Sequence, residues 1–329
     1  MPPTKEPIFH VAEEQAKKTI AAALRVWLAD QSWSQIRQLL RSRRVMVDGN
    51  ICVDEGRRLN LNEVVKIIAQ SAPRPPDARD VKLQYLDAYV CVVEKPAGVT
   101  SNRHADERDW PAKRKQLQPT LDELLAHVVA KMDPRARQLR GVPPPVRAVH
   151  RLDRETSGLM VFARTPTAER HLADQFRKHT TERCYLAVAP GKLSAQRIQS
   201  RLIRDRGDGR RGSTKESHLG KHAVTHIKPL KHLKHPSGEV YTLLECRLET
   251  GRTHQIRIHL AELGHPLCGE RVYHQPLFGK ALHDPSGAPR VALHARSLAF
   301  DHPISGERMG FEMPLPQDLQ EFLATFRPL

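Results

Sequence analysis

Apolar positions along the chain follow two different rhythms. Near the N-terminus Ile20, Leu24 and Leu28 recur every four residues, which is the spacing of one face of a helix. After residue 80 the rhythm changes to short apolar runs, such as residues 89–93 (YVCVV), that end at Pro, Gly or polar residues and indicate strands and turns. The pattern predicts an α+β protein with a small α/β domain at 1–70, a Pro-rich linker at 71–84 and a larger domain at 85–329.

The small domain should contain a second helix with a basic face. This helix is predicted to begin after Ser34, which suits an N-cap, and to run to about residue 44. Three arginines share a face about 100° from the apolar one, namely Arg37, Arg41 and Arg44. Such a face is either solvated or binds RNA phosphates. Two β-rich runs follow at 45–53 and are joined by an Asp-Gly pair, which favours a hairpin.

Basic residues exceed acidic ones in both parts of the chain. The formal net charge is +16 and the isoelectric point is about 9.9. Residues 1–70 contain 11 Lys and Arg against 8 Asp and Glu, and the remaining residues contain 42 against 29. A field of this sign attracts a polyanion such as a phosphate backbone. Because most of the excess lies after residue 70, the larger domain must itself meet that partner.

Cysteine usage and hydropathy argue against several classes of protein. The five cysteines are scattered and lack a C-x-x-C pair, which indicates free thiols in a reducing compartment. The first residues lack the order of a secretory signal, and no apolar run approaches the roughly 20 residues that a membrane span needs. His254 and His259 are five residues apart, which does not fit a zinc-binding H-E-x-x-H helix. We expect a cytoplasmic protein that binds neither metal nor membrane.

Two further basic segments have open roles. Residues 200–235 contain ten Lys and Arg, three Asp and Glu and five His, and three glycines loosen the first half. We interpret this segment as a loop that either clamps RNA phosphates or is merely solvated. Residues 103–147 include an irregular stretch rich in Arg and Pro, which we interpret as a tolerated surface insertion or as substrate-specific contacts.

Residues 146–165 (VRAVHRLDRETSGLMVFART) concentrate the candidate chemistry. Asp153 lies between Arg151 and Arg154, and Gly158 opens an apolar run. Polar and turn-forming residues ahead of such a run predict a loop that enters a buried strand. Nearby positive charge favours an ionised carboxylate. The alternative is a surface loop with a local ion pair.

Several separated motifs resemble those of one enzyme family. HRLD followed by TSGL resembles the catalytic signature of the RluA-like pseudouridine synthases of large-subunit ribosomal RNA. The resemblance continues in register over about residues 85–329, through EKPAG at 94–98, where the family usually has NKPAG, PTL at 119–121, KHAVT at 221–225 and LETGRTHQIRIH at 248–259. It implies a central, mostly antiparallel mixed sheet flanked by helices and loops. Residues 1–70 resemble the S4 RNA-binding domain, which accompanies many members of the family.

The resemblance also implies roles for individual residues. Asp153 is the essential carboxylate, Tyr185 stacks on the target base, and Arg252 pairs with Asp153. Arg151 enters the RNA near the everted nucleotide. The strand motif K-x-Y reads Arg183-x-Tyr185 here, so Arg replaces Lys. No cofactor is implied, because the isomerisation of uridine to pseudouridine gains no atom. Whether the carboxylate attacks the sugar, adds to the base or removes a proton stays open.

Three functions remain to be separated. The first is isomerisation of uridines in 23S-type ribosomal RNA by a monomeric enzyme, and the S4-like domain favours this large structured RNA. The second is the same reaction on transfer RNA. The third is a non-catalytic ribosome-assembly protein that uses its basic surfaces only to bind RNA.

Overall fold

The computed structural model describes residues 7–48, 50–69, 71–72, 74, 77–104, 107, 109–111, 115, 118–133, 146–274 and 282–329. The described residues form two compact units, one from 1–75 and 105–119 and the other from 76–104 and 120–329. Gly49 of the predicted Asp-Gly turn and the whole predicted Arg- and Pro-rich stretch at 135–145 lie outside the described residues. None of the described helices has the length and apolar character that crossing a membrane requires.

The first unit packs two helices and an antiparallel sheet around one core. Its elements are β1 (Ile8–His10), α1 (Ile20–Trp27), α2 (Trp33–Arg41), β2 (Val45–Val47), β3 (Asn50–Ile51) and β4 (Val64–Ile67), with strand order β1-β4-β2-β3. The predicted hairpin strands pair with each other as β2 and β3. Ile20, Leu24, Ile36 and Leu40 are all fully buried. The apolar faces predicted from the periodicity are therefore the ones that pack.

The predicted bounds of α2 are wrong at both ends. Ser32, rather than Ser34, is the N-cap: its Oγ accepts from Gln35 N at 3.3 Å, and its own N donates to Gln35 Oε1 at 2.7 Å. This reciprocal capping box sets the start because Gln35 stands three residues after Ser32. The helix ends at Arg41, and Arg43 takes a left-handed conformation with φ of 60°. Arg44 therefore lies outside the helix.

The second unit is built on a mixed sheet that has twelve strands in the described part of the chain. They are β5 (Lys82–Leu86), β6 (Val90–Lys95), β7 (Arg147–Ala148), β8 (Ser157–Ala163), β9 (Glu182–Pro190), β10 (Gln196–Ile203), β11 (Gly212–Thr214), β12 (Lys221–Lys234), β13 (Val240–Leu248), β14 (Leu293–Asp301), β15 (Arg308–Glu312) and β16 (Arg327–Pro328). The order is β11-β10-β12-β13-β9-β14-β8-β6-β5, and β15, β16 and β7 pair with β14, β12 and β8.

Four helices accompany this sheet in the described residues. They are α3 (Leu121–Met132), α4 (Pro166–Lys178), α5 (Gln255–Glu262) and α6 (Gln317–Ala324). All the strand pairs described are antiparallel except β8 with β14. The prediction of a mostly antiparallel mixed sheet with flanking helices is confirmed.

Two segments differ from their predicted state. The basic segment at 200–235 is mostly strand, because β10 pairs with β11 and β12, and β12 also pairs with β13. Buried apolar side chains within the charged segment, such as Val224 and Ile227, attach β12 to the core. The loop prediction was therefore wrong, because it relied on the glycines and charges and overlooked the apolar positions that are buried. Strand β5 begins at Lys82, inside the range predicted as linker.

Gly158 is required where β8 enters the sheet. Its φ is +127°, and a Cβ built on it would lie 2.3 Å from the backbone oxygen of Ala295 on β14. The two residues are partners in the parallel pair of β8 with β14. Any larger residue would force these strands apart directly after the loop that contains Asp153.

Two buried histidines should make the stability of the fold sensitive to acid. His259 and His294 are 1% and 0% exposed, and burial lowers the pKa of each to about 4 from the ordinary 6.5. Between these values the unfolded chain binds more protons, so stability is full above pH 6.5 and is lost as the pH falls towards 4. We expect the free energy of unfolding to fall by about 1.4 kcal/mol per pH unit for each histidine.

Urea unfolding at pH 7, 5.5 and 4.5 measures this loss. The His259→Gln variant is the control, because it removes one of the histidines with a lowered pKa. The free energy of unfolding of this variant should fall less steeply with decreasing pH, by about 1.4 kcal/mol per pH unit. An unchanged slope in this variant would contradict the assignment of the acid sensitivity to His259.

Candidate active site

The loop between β7 and β8 holds Asp153, and the neighbouring segment 95–98 clamps this loop. Gly98 N donates to the Arg154 carbonyl at 2.8 Å, and Lys95 Nζ donates to the same oxygen at 3.1 Å. Arg154 Nε returns a hydrogen bond to the Gly98 carbonyl at 3.1 Å. Burial lowers the pKa of Lys95 to about 7. The KPAG motif thus holds the backbone immediately after Asp153.

A cavity of about 470 Å³ opens beside Asp153. The loop, α4, β9, the turn after β13 and α5 line it, and four predicted site residues are among the lining: Arg151, Asp153, Tyr185 and Arg252. The other three predicted residues, Arg37, Arg41 and Arg44, belong to the first unit. Arg151 is exposed, whereas the Asp153 side chain is only 14% exposed.

The cation that contacts Asp153 is Arg257. Arg257 Nη1 donates to Asp153 Oδ2 at 3.3 Å. The same guanidinium makes a bidentate pair with Glu270, with Nε to Oε2 at 2.7 Å and Nη2 to Oε1 at 2.8 Å. Burial alone would raise the pKa of Glu270, but the hydrogen bonds from Arg257 lower it. One buried arginine therefore balances two carboxylates and orients that of Asp153.

The predicted pairing of Arg252 with Asp153 is not what the structure shows. Helix α5 begins at Gln255, so Arg252 stands in the turn before it, half-buried, and its Nε donates to the His222 carbonyl at 3.0 Å. Arg257 lies within α5, and its side chain is 7% exposed. Both arginines line the cavity, but only the one inside the helix points its guanidinium at the acid.

Tyr185 lies in the cavity wall on β9 and is 8% exposed. Burial raises the pKa of its phenol to about 12, so the hydroxyl stays protonated at neutral pH. A neutral aromatic ring next to an oriented carboxylate can stack on a nucleobase while the sugar of that nucleotide is attacked or deprotonated.

Comparison with known proteins agrees with this geometry. Residues 89–262 match the family model described as RNA pseudouridylate synthase. A protein of Escherichia coli strain K12 named ribosomal large subunit pseudouridine synthase D is 33% identical over 96% of this chain and 93% of its own length. A protein of the same name from Neisseria meningitidis serogroup A is 34% identical over 95% of this chain and 80% of its own.

The chain belongs to the RNA pseudouridylate synthase family.

The fold of the synthase also matches a solved relative. Human RNA pseudouridylate synthase domain containing 1 aligns with a TM-score of 0.56 and 24% identity over 78% of this chain and 92% of its own. The prediction that this chain is an RNA pseudouridine synthase, and hence an isomerase, is confirmed by the family match and the relatives. The predicted roles of the individual residues remain predictions.

Two residues at the synthase site were missed by sequence reasoning. His254, considered above only as a zinc ligand and rejected, has φ of 57°, and its Nε2 lies 3.6 Å from Asp153 Oδ1. Its Nδ1 is hydrogen-bonded to Tyr273 Oη at 2.6 Å. Arg257 could have been found, because an arginine flanked by Ile256 and Ile258 in a buried helix needs an acidic partner. No comparable signal in the sequence pointed to His254.

Replacing Arg257 should cost far more stability than replacing Arg252. Arg257→Met leaves Asp153 and Glu270 close together without their cation, and breaking a buried pair in this way costs about 3 to 5 kcal/mol. Arg252→Met removes a half-buried contact to a backbone carbonyl, so we expect a loss of about 1 kcal/mol or less. Urea unfolding of both variants at pH 7 measures the difference. Equal losses would show that Arg257 is not the main partner of the acid.

Proposed function

We propose that this synthase converts uridines of large-subunit ribosomal RNA to pseudouridine, with Asp153 as the essential carboxylate. The observation that supports it most directly is the Asp153 carboxylate, held by Arg257 in a cavity that also contains Tyr185. The names of the relatives from Escherichia coli and Neisseria meningitidis support the choice of RNA. A cytoplasmic, monomeric enzyme is part of the proposal.

The proposed reaction exchanges one bond for another within the same nucleotide. The N1–C1′ bond breaks, the base turns, and C5 joins C1′, so no oxidant, reductant or group donor is consumed. The site must hold the free base and keep water from the intermediate. A volume of about 470 Å³ is within the range of pockets that enclose small molecules, and it suits a single everted nucleoside.

The target uridine must leave the base stack of the RNA before the reaction starts. Eversion costs a few kcal/mol and is least unfavourable in loops and unpaired segments. Arg151 is exposed and lines the cavity two residues before Asp153, so we propose that it contacts the RNA beside the everted nucleotide. We propose Arg252 as a second contact in the same lining.

The first unit is proposed to be an S4-like RNA-binding domain. Arg37 and Arg41 stand four residues apart on α2, their side chains are 55% and 74% exposed, and both contact Glu55 at 3.3 Å. Trp33, four residues before Arg37, is 50% exposed. Arg44 Nε donates to the carbonyl of residue 68 at 3.0 Å, which anchors its guanidinium to the backbone. These exposed cations support phosphate binding, mainly through Arg37 and Arg41.

Asp153→Asn should abolish turnover while RNA binding stays nearly intact. The amide cannot act as nucleophile or base, so we expect the rate to fall by at least about 10⁴-fold, or about 5.5 kcal/mol of barrier. Tritium release from RNA labelled at C5 of uridine measures turnover. Equal background release by both proteins would support the non-catalytic assembly function instead.

The same variant identifies the substrate in cells. In a strain that lacks the gene, carbodiimide primer extension should lose one or more stops in large-subunit ribosomal RNA. The wild-type gene should restore them, and the gene for Asp153→Asn should not. Stops that disappear from transfer RNA alone would replace the proposed substrate with the alternative one.

Arg37→Ala with Arg41→Ala should weaken RNA binding in a salt-dependent way. Each lost phosphate contact lowers the slope of log affinity against log salt by about 0.7 on single strands, so the double variant should lose about 1.4 at most. Arg58→Ala is the control, because Arg58 is also exposed in the first unit but its Nη1 donates to the Lys17 carbonyl. A slope equal to that of the control would mean that the arginine face is only solvated.

A further inference from the structure

Arg183 has buried donors that lack a partner. It stands on β9 two residues before Tyr185 and lines the same cavity. Its Nε and Nη2 are buried, and neither atom has a hydrogen-bond partner among the described residues. Buried donors are nearly always paired, because each unpaired one loses its bonds to water without replacement. This edge of the guanidinium is therefore available for an acceptor that arrives with the substrate.

Among the residues that the structure describes, no carboxylate forms an ion pair with this guanidinium. Its Cζ lies 5.7 Å from the ring centroid of Phe176, whose other ring contact is His150, stacked at 4.4 Å. Burial, with the charge of Arg183, lowers the pKa of His150 to about 3, so the imidazole is neutral. On the remaining side, a Cβ on Gly251 would lie 2.4 Å from Arg183 Nη1. Phe176 and Gly251 thus border the cation, and none of the described carboxylates pairs with it.

The position of Arg183 favours contact with the base over contact with a phosphate. Residues i and i+2 of a strand face the same side, so Arg183 and Tyr185 share one wall of the cavity. The Nε and Nη2 atoms of Arg183 are buried. The phosphates of a bound RNA must instead remain at the protein surface, where Arg151 is exposed. The part of the nucleotide that reaches a buried wall is the everted uracil. Its acceptors are the two carbonyl oxygens.

We propose that Arg183 is a catalytic residue whose Nε and Nη2 donate to a carbonyl oxygen of the everted uracil and stabilise negative charge developing there. This inference rests on the proposed isomerisation of uridine. If the sugar is attacked or deprotonated, the electron pair of the N1–C1′ bond remains on the uracil, which becomes an anion. If Asp153 instead adds to C6, the ring becomes an enolate. In either case the N1–C1′ bond breaks, C5 forms the new bond to C1′ and loses its proton, and N1 gains a proton. Any bond from Asp153 to C1′ or C6 breaks again, and a deprotonated sugar regains its proton, so the free carboxylate of Asp153 is restored.

The proposal does not depend on which of the three routes Asp153 takes. Each of them places negative charge on the pyrimidine oxygens before the new carbon–carbon bond is complete. A cation already desolvated and oriented stabilises such charge without reorganisation, and removing one donor of this kind lowers rates by about 10² to 10³-fold. The same charge would be less effective at an exposed position, where water screens it.

Single-turnover kinetics on the substrate RNA test the proposal with Arg183→Met and Arg183→Lys. We expect Arg183→Met to lower the rate at saturating enzyme by about 10² to 10³-fold, with RNA affinity changed by less than about 3-fold. The Arg183→Lys variant should retain most of the wild-type rate, because lysine, which the family usually has at this position, keeps the positive charge. Arg170→Met is the matched control: it removes an exposed arginine from α4 outside the cavity lining, and its rate should stay at the wild-type value.

A second substrate separates catalysis from packing. RNA with 5-fluorouridine at the target position carries a base whose anion is already stabilised by fluorine, so the defect of Arg183→Met in its rearrangement should be at least about 10-fold smaller. An equal defect on both RNAs would mean that Arg183 only supports the fold. Weaker RNA binding with a lower salt slope and an unchanged saturated rate would mean a phosphate contact. Either result would overturn the proposal.

These outcomes are distinct from failure of the proposed function. If wild-type protein releases no tritium above the Asp153→Asn background, the isomerisation itself is absent. If wild-type protein is active and Arg183→Met matches it on uridine, only the role of Arg183 is refuted.

Discussion

A single buried guanidinium, that of Arg257, makes the architecture of the site possible. It contacts Asp153 and Glu270 at once, and these acids come from different loops around α5 and β8. Two carboxylates so close together would repel each other without this cation, because their charges are only weakly screened inside the protein. The pair with Glu270 is bidentate, so it fixes the guanidinium plane and hence the direction from which Asp153 is held.

Arginines around the cavity differ in what balances their charge. Arg257 is matched by two acids, and Arg252 donates to a backbone carbonyl. Arg151 is exposed, so water screens its charge. Arg183 has a buried edge with no partner in the described residues. A guanidinium remains charged in all four environments, so its local partners decide whether it supports structure, RNA binding or the reacting base.

Much of the fold follows from local patterns. The four-residue spacing at Ile20 and Leu24, and the apolar run that becomes β8, predicted a helix and a strand that the structure contains. Prediction failed where two local signals competed. At α2 the cap was predicted at Ser34, but the reciprocal hydrogen bonds between Ser32 and Gln35 start the helix two residues earlier. At β12, charges and nearby glycines suggested a loop, but strand pairing on both sides outweighed them.

The sequence alone determined that Asp153 precedes a buried strand and that Tyr185 lies in a second strand. Both residues belong to short contiguous motifs, which can be recognised without knowledge of the fold. Only the tertiary structure decided that Arg257 rather than Arg252 meets the acid, across a separation of 104 residues. It also decided that His254 approaches Asp153 and that Nε and Nη2 of Arg183 are buried with no hydrogen-bond partner among the described residues. Ion pairing depends on where a helix starts and which side chains the core encloses, and these distances exist only after the sheet has brought remote segments together.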